Sequence, residues 1–121
     1  MGKTSHSENQ RKVLIDFTDT FLRQNFGSSP NSVKVLIDHD LAVIRVDNFL
    51  CRAEIEMGKE EKDTKLIHEM YSKLFDKVKA ALVDRIGQIT CKEVLSSQIN
   101  INFETESCVM DFFLASKPNK E

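Results

Sequence analysis

The sequence predicts an α+β fold, a two-layer sandwich: an antiparallel sheet from two β-hairpins, covered by an N-terminal helix and a long central helix. Three observations point there. Apolar residues recur at three- and four-residue spacing over 8–26 and 61–86, the period of a helix with one greasy face. Apolar, often β-branched residues alternate with polar ones around two short polar breaks, Asp38–Asp40 and Glu104–Ser107, the mark of hairpins. Helix-patterned chain separates the two hairpins, which places helices together on one face of an antiparallel sheet. At 121 residues the chain has room for a single domain, 1–121, with an ordered core over about 8–115 and short polar tails.

Taken in order, residues 1–6 form a frayed tail. Ser7 opens a capping box with Gln10, and Val13, Leu14, Phe17, Phe21 and Leu22 line one face of a helix over 8–26. Gly27 suits the position after the last turn, and Pro30 forbids continuation. Val33, Val35 and Ile37 then alternate with Lys34, Leu36 and Asp38, and Leu41–Asp47 returns after the turn. Leu36, Ala42, Ile44 and Val46 add apolar content to the second face, so part of it is expected to be covered too.

Within Asn48–Gly58, Leu50, Ala53 and Met57 share one face of a short helix that Gly58 ends. Leu66, Ile67, Met70, Tyr71, Leu74, Val78, Ala81, Leu82 and Ile86 then form a stripe that runs unbroken to Gly87. It predicts one helix over 61–86, roughly 35–40 Å long at about 1.5 Å per residue. That is more than one small domain needs, so part of the stripe is expected to face a second subunit in a homodimer. Last, Leu95, Ile99, Ile101 and Phe103 alternate with Gln98, Asn100 and Asn102, and Val109–Leu114 puts Met110, Phe112 and Leu114 on one face. Lys117–Glu121 is polar and expected to be loose.

Composition removes several functions. Seventeen Lys+Arg against nineteen Asp+Glu give a net charge of −2, the wrong sign for a phosphate backbone. The last hairpin carries Glu93, Glu104, Glu106 and Asp111 against Lys92, and one Tyr with no Trp leaves no stacking platform. No run of apolar residues is long enough to span a bilayer, so no direct membrane insertion is expected. Met1–Gln10 has no hydrophobic signal core. His6 stands where a myristoylation motif needs Ser or Thr. Gly2-Lys3-Thr4 lacks the upstream glycine of a phosphate-binding loop. Three cysteines, Cys51, Cys91 and Cys108, are an odd number with no Cys-x-x-Cys, which suits a reducing cytoplasm.

Catalytic patterns are missing as well. His6 lies in the tail, His39 in a turn between two aspartates, and His68 at the edge of the stripe. No His pair has helical zinc spacing, and no Gly-x-Ser-x-Gly elbow occurs. Asp16 with Asp19, and Glu54 with Glu56, fit wet helix faces. No catalytic residue, cofactor or metal ligand is therefore expected. The neutral face of Gln98, Asn100 and Asn102 fits either a partner surface or plain exposure. Candidate partner-interface residues are Leu50, Glu54, Tyr71, Leu74, Val78, Asn100 and Asn102.

Several of these elements together resemble a known family. They are the helix ending Asn25-Phe26-Gly27 with Pro30 after it, the strand Val43-Ile44-Arg45-Val46, and Leu50-Cys51-Arg52-Ala53-Glu54. The long helix ending near Ile86-Gly87, the strand Val94-Leu95-Ser96 and the strand Val109–Leu114 complete the set. Over roughly residues 10–115 the chain resembles the small bacterial MpsC-type domain, linked to a sodium-translocating, membrane-potential-generating system. Phe26, Gly27 and Pro30 match its Phe-Gly-x-x-Pro turn. Its Leu-Thr-Pro-Ala-Glu segment keeps Leu50, Ala53 and Glu54, with Cys51 and Arg52 in place of Thr and Pro. Asn100 stands where the family commonly has an aspartate.

The resemblance implies a cytoplasmic accessory protein, peripheral at the inner face of the cell membrane, with a membrane-complex partner. A non-enzymatic interaction module is the expectation. The alternative is a small-ligand-binding domain or minor enzyme whose cavity, between hairpins and helices, would be lined by His39, Glu54 or His68.

Overall fold

The computed structural model describes residues 2–28 and 32–118, with side chains over 8–28 and 32–116. Its elements are α1 (Gly2–Phe26), β1 (Ser32–Ile37), β2 (Leu41–Asp47), α2 (Arg52–Met57), α3 (Glu61–Val78), α4 (Ala80–Thr90), β3 (Lys92–Asn102) and β4 (Ser107–Pro118). The four strands form one antiparallel sheet in the order β1-β2-β4-β3. The two hairpins are thus joined through β2 and β4, with Ile44 opposite Met110 and Ala42 opposite Phe112. The helices lie on one face, making the two-layer α+β sandwich.

The covered face carries the core. Ala42, Ile44, Val46, Cys108, Met110 and Phe112 are fully buried, and Ile99, Ile101 and Leu114 nearly so. Above them sit Leu14, Phe21 and Leu22 of α1, Ile67, Tyr71 and Phe75 of α3, and Leu82 and Ile86 of α4. The rings of Phe75 and Phe112, 6.2 Å apart, tie α3 to the central strand. Cys108 shares this interior, and burial pushes its thiol pKa up to about 12. Thr18 also lies in the core, fully buried with no hydrogen-bond partner for its hydroxyl. Phe17 is only partly buried, and the Arg85 guanidinium of α4 stands 4.8 Å from its ring centre.

Several expected boundaries move. The first helix starts at Gly2 rather than 8, so Ser7 lies inside it and does not cap it. Nothing in Gly2–Glu8 breaks a helix, and one nucleated by packing over 14–22 extends backwards at little cost. Gln10 instead donates from Nε2 to the Ile89 carbonyl (2.8 Å), fastening α1 to α4. Gly27 has φ 64°, as a helix-ending glycine should. Pro30 lies outside the described residues.

The long helix is two helices. Lys79 leaves the regular pattern while keeping helical angles (φ −70°, ψ −14°). Its N–H donates to the Phe75 carbonyl and its carbonyl accepts from Val83, each at 2.8 Å. The segments serve different neighbours: α3 packs on β3, whereas α4 packs on both α1 and β3. Nor does Gly87 end the helix. The chain stays helical to Thr90 and turns at Cys91, whose φ is 58° and ψ 33°. Gly87 sits inside α4, where a Cβ would lie 3.4 Å from the Lys92 carbonyl oxygen, at the edge of ordinary contact.

In β3 the sequence alternation is out of phase at one end. Val94 and Ile99 face the helices, but Leu95 is 60 % exposed. The pairing irregularity between Val94 and Ser96 inserts one extra residue and flips the pattern. Strand β4 continues to Pro118, so Lys117 and Pro118 belong to the sheet rather than to a loose tail; residues 119–121 lie outside the described region. Ala42, Ile44 and Val46, expected on the second face, lie with Val35 on the helix-covered one; on the open face Leu36 is 71 % exposed, so the expected cover is missing there, and Phe113 is 53 % exposed.

A side chain at Cys91 in a left-handed conformation is a standing cost that glycine avoids. Cys91→Gly is expected to raise unfolding stability by about 1 kcal/mol, as read by urea titration followed by circular dichroism.

Candidate functional site

The feature that gathers most of the sequence-selected residues is the junction where α1 ends, β2 gives way to α2, and α3 passes over both. After Gly27, Ser28 N–H donates to the Leu22 carbonyl (3.3 Å), drawing the chain back over the helix end. At the exit of β2, Asn48 takes φ 58°, a conformation asparagine tolerates better than most. It aims Phe49 and Leu50 inward, where each is 5 % exposed. Phe49 N–H donates to the Glu106 carbonyl (2.9 Å), anchoring this corner to the turn between β3 and β4.

Aromatic rings link the parts. Phe26 stands 5.9 Å from Phe21, 5.8 Å from Phe49 and 5.8 Å from Tyr71, and Phe49 and Tyr71 are 5.0 Å apart. All are tilted or edge-on, the favoured arrangements of ring quadrupoles. This chain of rings runs from α1 to α3 across the β2–α2 corner.

Glu54 closes the junction. Its Oε1 accepts the Cys51 N–H (3.0 Å) and its Oε2 accepts the Tyr71 hydroxyl (2.7 Å). The first bond is the return half of a capping box, because Glu54 is the third residue of a helix whose cap is Cys51. The second fixes α2 to α3. Burial pushes the Tyr71 phenol well above its ordinary pKa, and the Glu54 carboxylate raises it further, by its hydrogen bond and its charge. Tyr71 is thus a firm proton donor to Glu54, and both carboxylate oxygens are engaged.

Two recesses flank Glu54. One, of about 370 Å³, is bordered by Phe26, Ser28, Asn48, Cys51, Glu54 and Tyr71. The hydroxyl of Ser28 is buried there without a hydrogen-bond partner. The other, an apolar groove of about 380 Å³ between α2 and α3, is lined by Met57, Leu66, Ile67 and Met70, with Glu54, Glu69 and Lys73 at its rim. Met57, Leu66 and Met70 are 37, 57 and 47 % exposed. Gly58 lies directly under the Phe103 ring, where a Cβ would clash.

Of the seven interface candidates, the structure brings Leu50, Glu54 and Tyr71 together. Leu74 and Val78 are half-buried further along α3, with Val78 packed against this chain's own core. Asn100 and Asn102 lie on the open sheet face. Asn100 donates to Asp111 Oδ2 (3.4 Å), and Asn102 Oδ1 accepts the Thr105 N–H (3.0 Å), holding the turn. His68 meets Phe103 edge-on at 5.7 Å. His39 lines a polar recess at the far end of the molecule, where the Lys92 ammonium donates to its carbonyl. Phe49, Asn48 and Ser28 belong to the junction but were not selected from the sequence. Asn48 alone gave a local hint, as a left-handed-tolerant residue following a strand. Among the described residues no group of three His, Cys, Asp or Glu side chains is placed to hold a metal ion.

A family model described as "Na+-translocating membrane potential-generating system (MpsC)" matches residues 8–116. Nothing matches among curated proteins or among solved structures. The family's Leu-Thr-Pro-Ala-Glu segment, placed on this geometry, is a helix start: Thr would cap, Pro would take the first helical position and Glu would close the box. Here the cap is a thiol and the first position is Arg52.

Two outcomes follow from the junction. Cys51→Thr restores an oxygen cap and is expected to stabilise the protein by about 1 kcal/mol in thermal unfolding. Tyr71 is the sole tyrosine and there is no Trp, so tyrosinate absorbance reports on this site alone. The folded state keeps the Tyr71 proton above pH 10.0, the ordinary tyrosine pKa at which the unfolded chain releases it. Its contribution to stability is therefore complete below that pH and lost as pH rises beyond it. The absorbance is expected to rise only together with loss of helical dichroism, and at lower pH in Glu54→Gln. A rise near pH 10 with the fold intact would contradict the assigned bond.

Proposed function

We propose that this chain, which belongs to the MpsC family, is a non-enzymatic accessory component of a sodium-translocating, membrane-potential-generating system, acting from the cytoplasmic side. The observation that carries the reading is the family match across residues 8–116. No helix among the described residues is long and apolar enough to cross a membrane. The chain's part in that system is then contact with a membrane-embedded partner rather than an ion path of its own.

The groove between α2 and α3 is the contact face in this reading. Met57, Leu66 and Met70 form a contiguous exposed apolar patch rimmed by Glu54, Glu69 and Lys73, the composition of a small docking site with an apolar centre and a charged edge. The Glu54–Tyr71 bond holds α2 at a set angle to α3 and so sets the width of the groove. Glu54 acts here as a positioning residue.

A second reading is supported by the buried, unpartnered Ser28 hydroxyl beside the 370 Å³ recess. A small polar ligand seated there would satisfy it and touch Glu54. Thermal-shift screening against metabolites separates the readings, because ligand binding raises the unfolding temperature.

The direct test is genetic and electrical. In cells lacking the gene, the Leu66→Lys/Met70→Lys double variant is expected to fold with stability within about 0.5 kcal/mol of wild type, as surface changes usually do. It is expected to co-purify poorly with the membrane fraction and to fail to restore sodium-dependent membrane potential in vesicles, read with a potential-sensitive dye. Full restoration by the double variant would remove the groove from the mechanism. No dependence of the potential on the protein at all would remove the reading.

A further inference from the structure

The two edges of the sheet differ. On β3 the pairing with β4 shifts between Lys92 and Val94 and again between Val94 and Ser96, and such irregularities spoil an edge for further pairing. Strand β1 pairs with β2 through six uninterrupted positions, Ser32 to Ile37, with no proline, no bulge and Lys34 as its one charge. Among the described residues no strand pairs with its far side.

The direction of its backbone groups follows from the turn. Asp38 N–H donates to the Leu41 carbonyl (2.7 Å), so this pair exchanges bonds. Opposed pairs in an antiparallel ladder alternate between bonded and non-bonded. Leu36–Val43 and Lys34–Arg45 are then bonded pairs, and the amides and carbonyls of Val33, Val35 and Ile37 point out of the sheet. A groove of about 560 Å³ wraps this edge, lined by Ile15 and Arg11 of α1 above and by Val33, Val35 and Leu36 of the strand.

We infer that this edge is occupied by a second copy of the chain, the two β1 strands pairing antiparallel about a two-fold axis through Val35 to make one continuous eight-stranded sheet. The inference stands apart from the reading of the α2–α3 groove. In this register Val35 faces its own copy and Val33 faces the partner's Ile37, so every outward backbone group meets its complement. Lys34 faces the partner's Leu36, not the partner's Lys34. Its aliphatic stem covers a leucine that is 71 % exposed in the single chain.

The helix layer agrees. Arg11, Ile15 and Asp19 recur at four-residue spacing along one stripe of α1. The same axis sets the two α1 helices antiparallel, and with Ile15 near the axis each Arg11 lies opposite the partner's Asp19. Within the chain Asp19 pairs with Arg23 at an exposed position (2.9 Å), and Arg11 has no ion pair among the described residues.

Sedimentation equilibrium of the full chain tests this. Wild type is expected at twice the 13.9 kDa chain mass. Leu36→Lys sets two like charges opposite each other on both sides of the axis and is expected to raise the dimer dissociation constant about tenfold. Because Leu36 is exposed in the single chain, dichroism and unfolding of the monomer should not change. Adding Lys34→Glu to Leu36→Lys faces each new charge with its opposite and is expected to restore the dimer. A monomeric wild type, a dimer indifferent to Leu36→Lys, or a failure of the paired change to rescue would each overturn the inference.

Discussion

Successive side chains of a strand point to opposite faces, so the central pair β2–β4 sets Ala42, Ile44, Val46, Met110 and Phe112 side by side, and none of the five has exposed surface. Keeping that face dry is the constraint from which the architecture follows. Each large side chain gains about 1.5–3 kcal/mol by leaving water, and a sheet of four strands cannot cover itself. The cover comes from three helices at once: Leu14, Phe21 and Leu22 from α1, Ile67 and Phe75 from α3, Leu82 and Ile86 from α4. Near Lys79 the helical chain changes one neighbour and keeps another: α3 packs on α2 and β3, and α4 on α1 and β3.

The roof leaves a seam where α1 ends and α2 begins, and the aromatic chain with Glu54 fills it. A six-residue helix has no stability of its own. α2 persists because buried Phe49 and Leu50 precede it, because Glu54 caps it, and because the same carboxylate accepts the Tyr71 hydroxyl. One side chain thus does the work of a cap and of a tertiary clasp.

Much of this was legible in the sequence. Alternation along Val33–Ile37 and Leu41–Val46 names the first hairpin and Gly27 names the end of α1, whereas the capping box of α2 is hidden, because Cys51 is not a usual cap residue. The misses have local causes. Lys79 carries no breaker signal, since its conformation stays helical and only its neighbours change. Gly87 resembles a stop, yet the helix runs through it, while the true stop is Cys91, whose side chain gives no warning of a left-handed backbone. Leu95 keeps the right parity with Ile99 on paper, and an inserted residue reverses it. The meeting of Phe26, Phe49, Glu54 and Tyr71 is a product of the fold, and no window of sequence contains it.

The strand order carries a kinetic implication. β2 cannot find its inner neighbour β4 until α2, α3, α4 and β3 have all been traversed, so the seam between the two hairpins is the most non-local pairing in the sheet. Contacts of that kind close late, after the entropy of a long intervening loop has been overcome. Until then each hairpin is a separate two-stranded ribbon with a bare apolar flank, and the flank of β2 is a template that β4 of another copy would fit equally well. Slow refolding with concentration-dependent exchange of hairpins between chains is the hazard built into a sheet zipped at its middle.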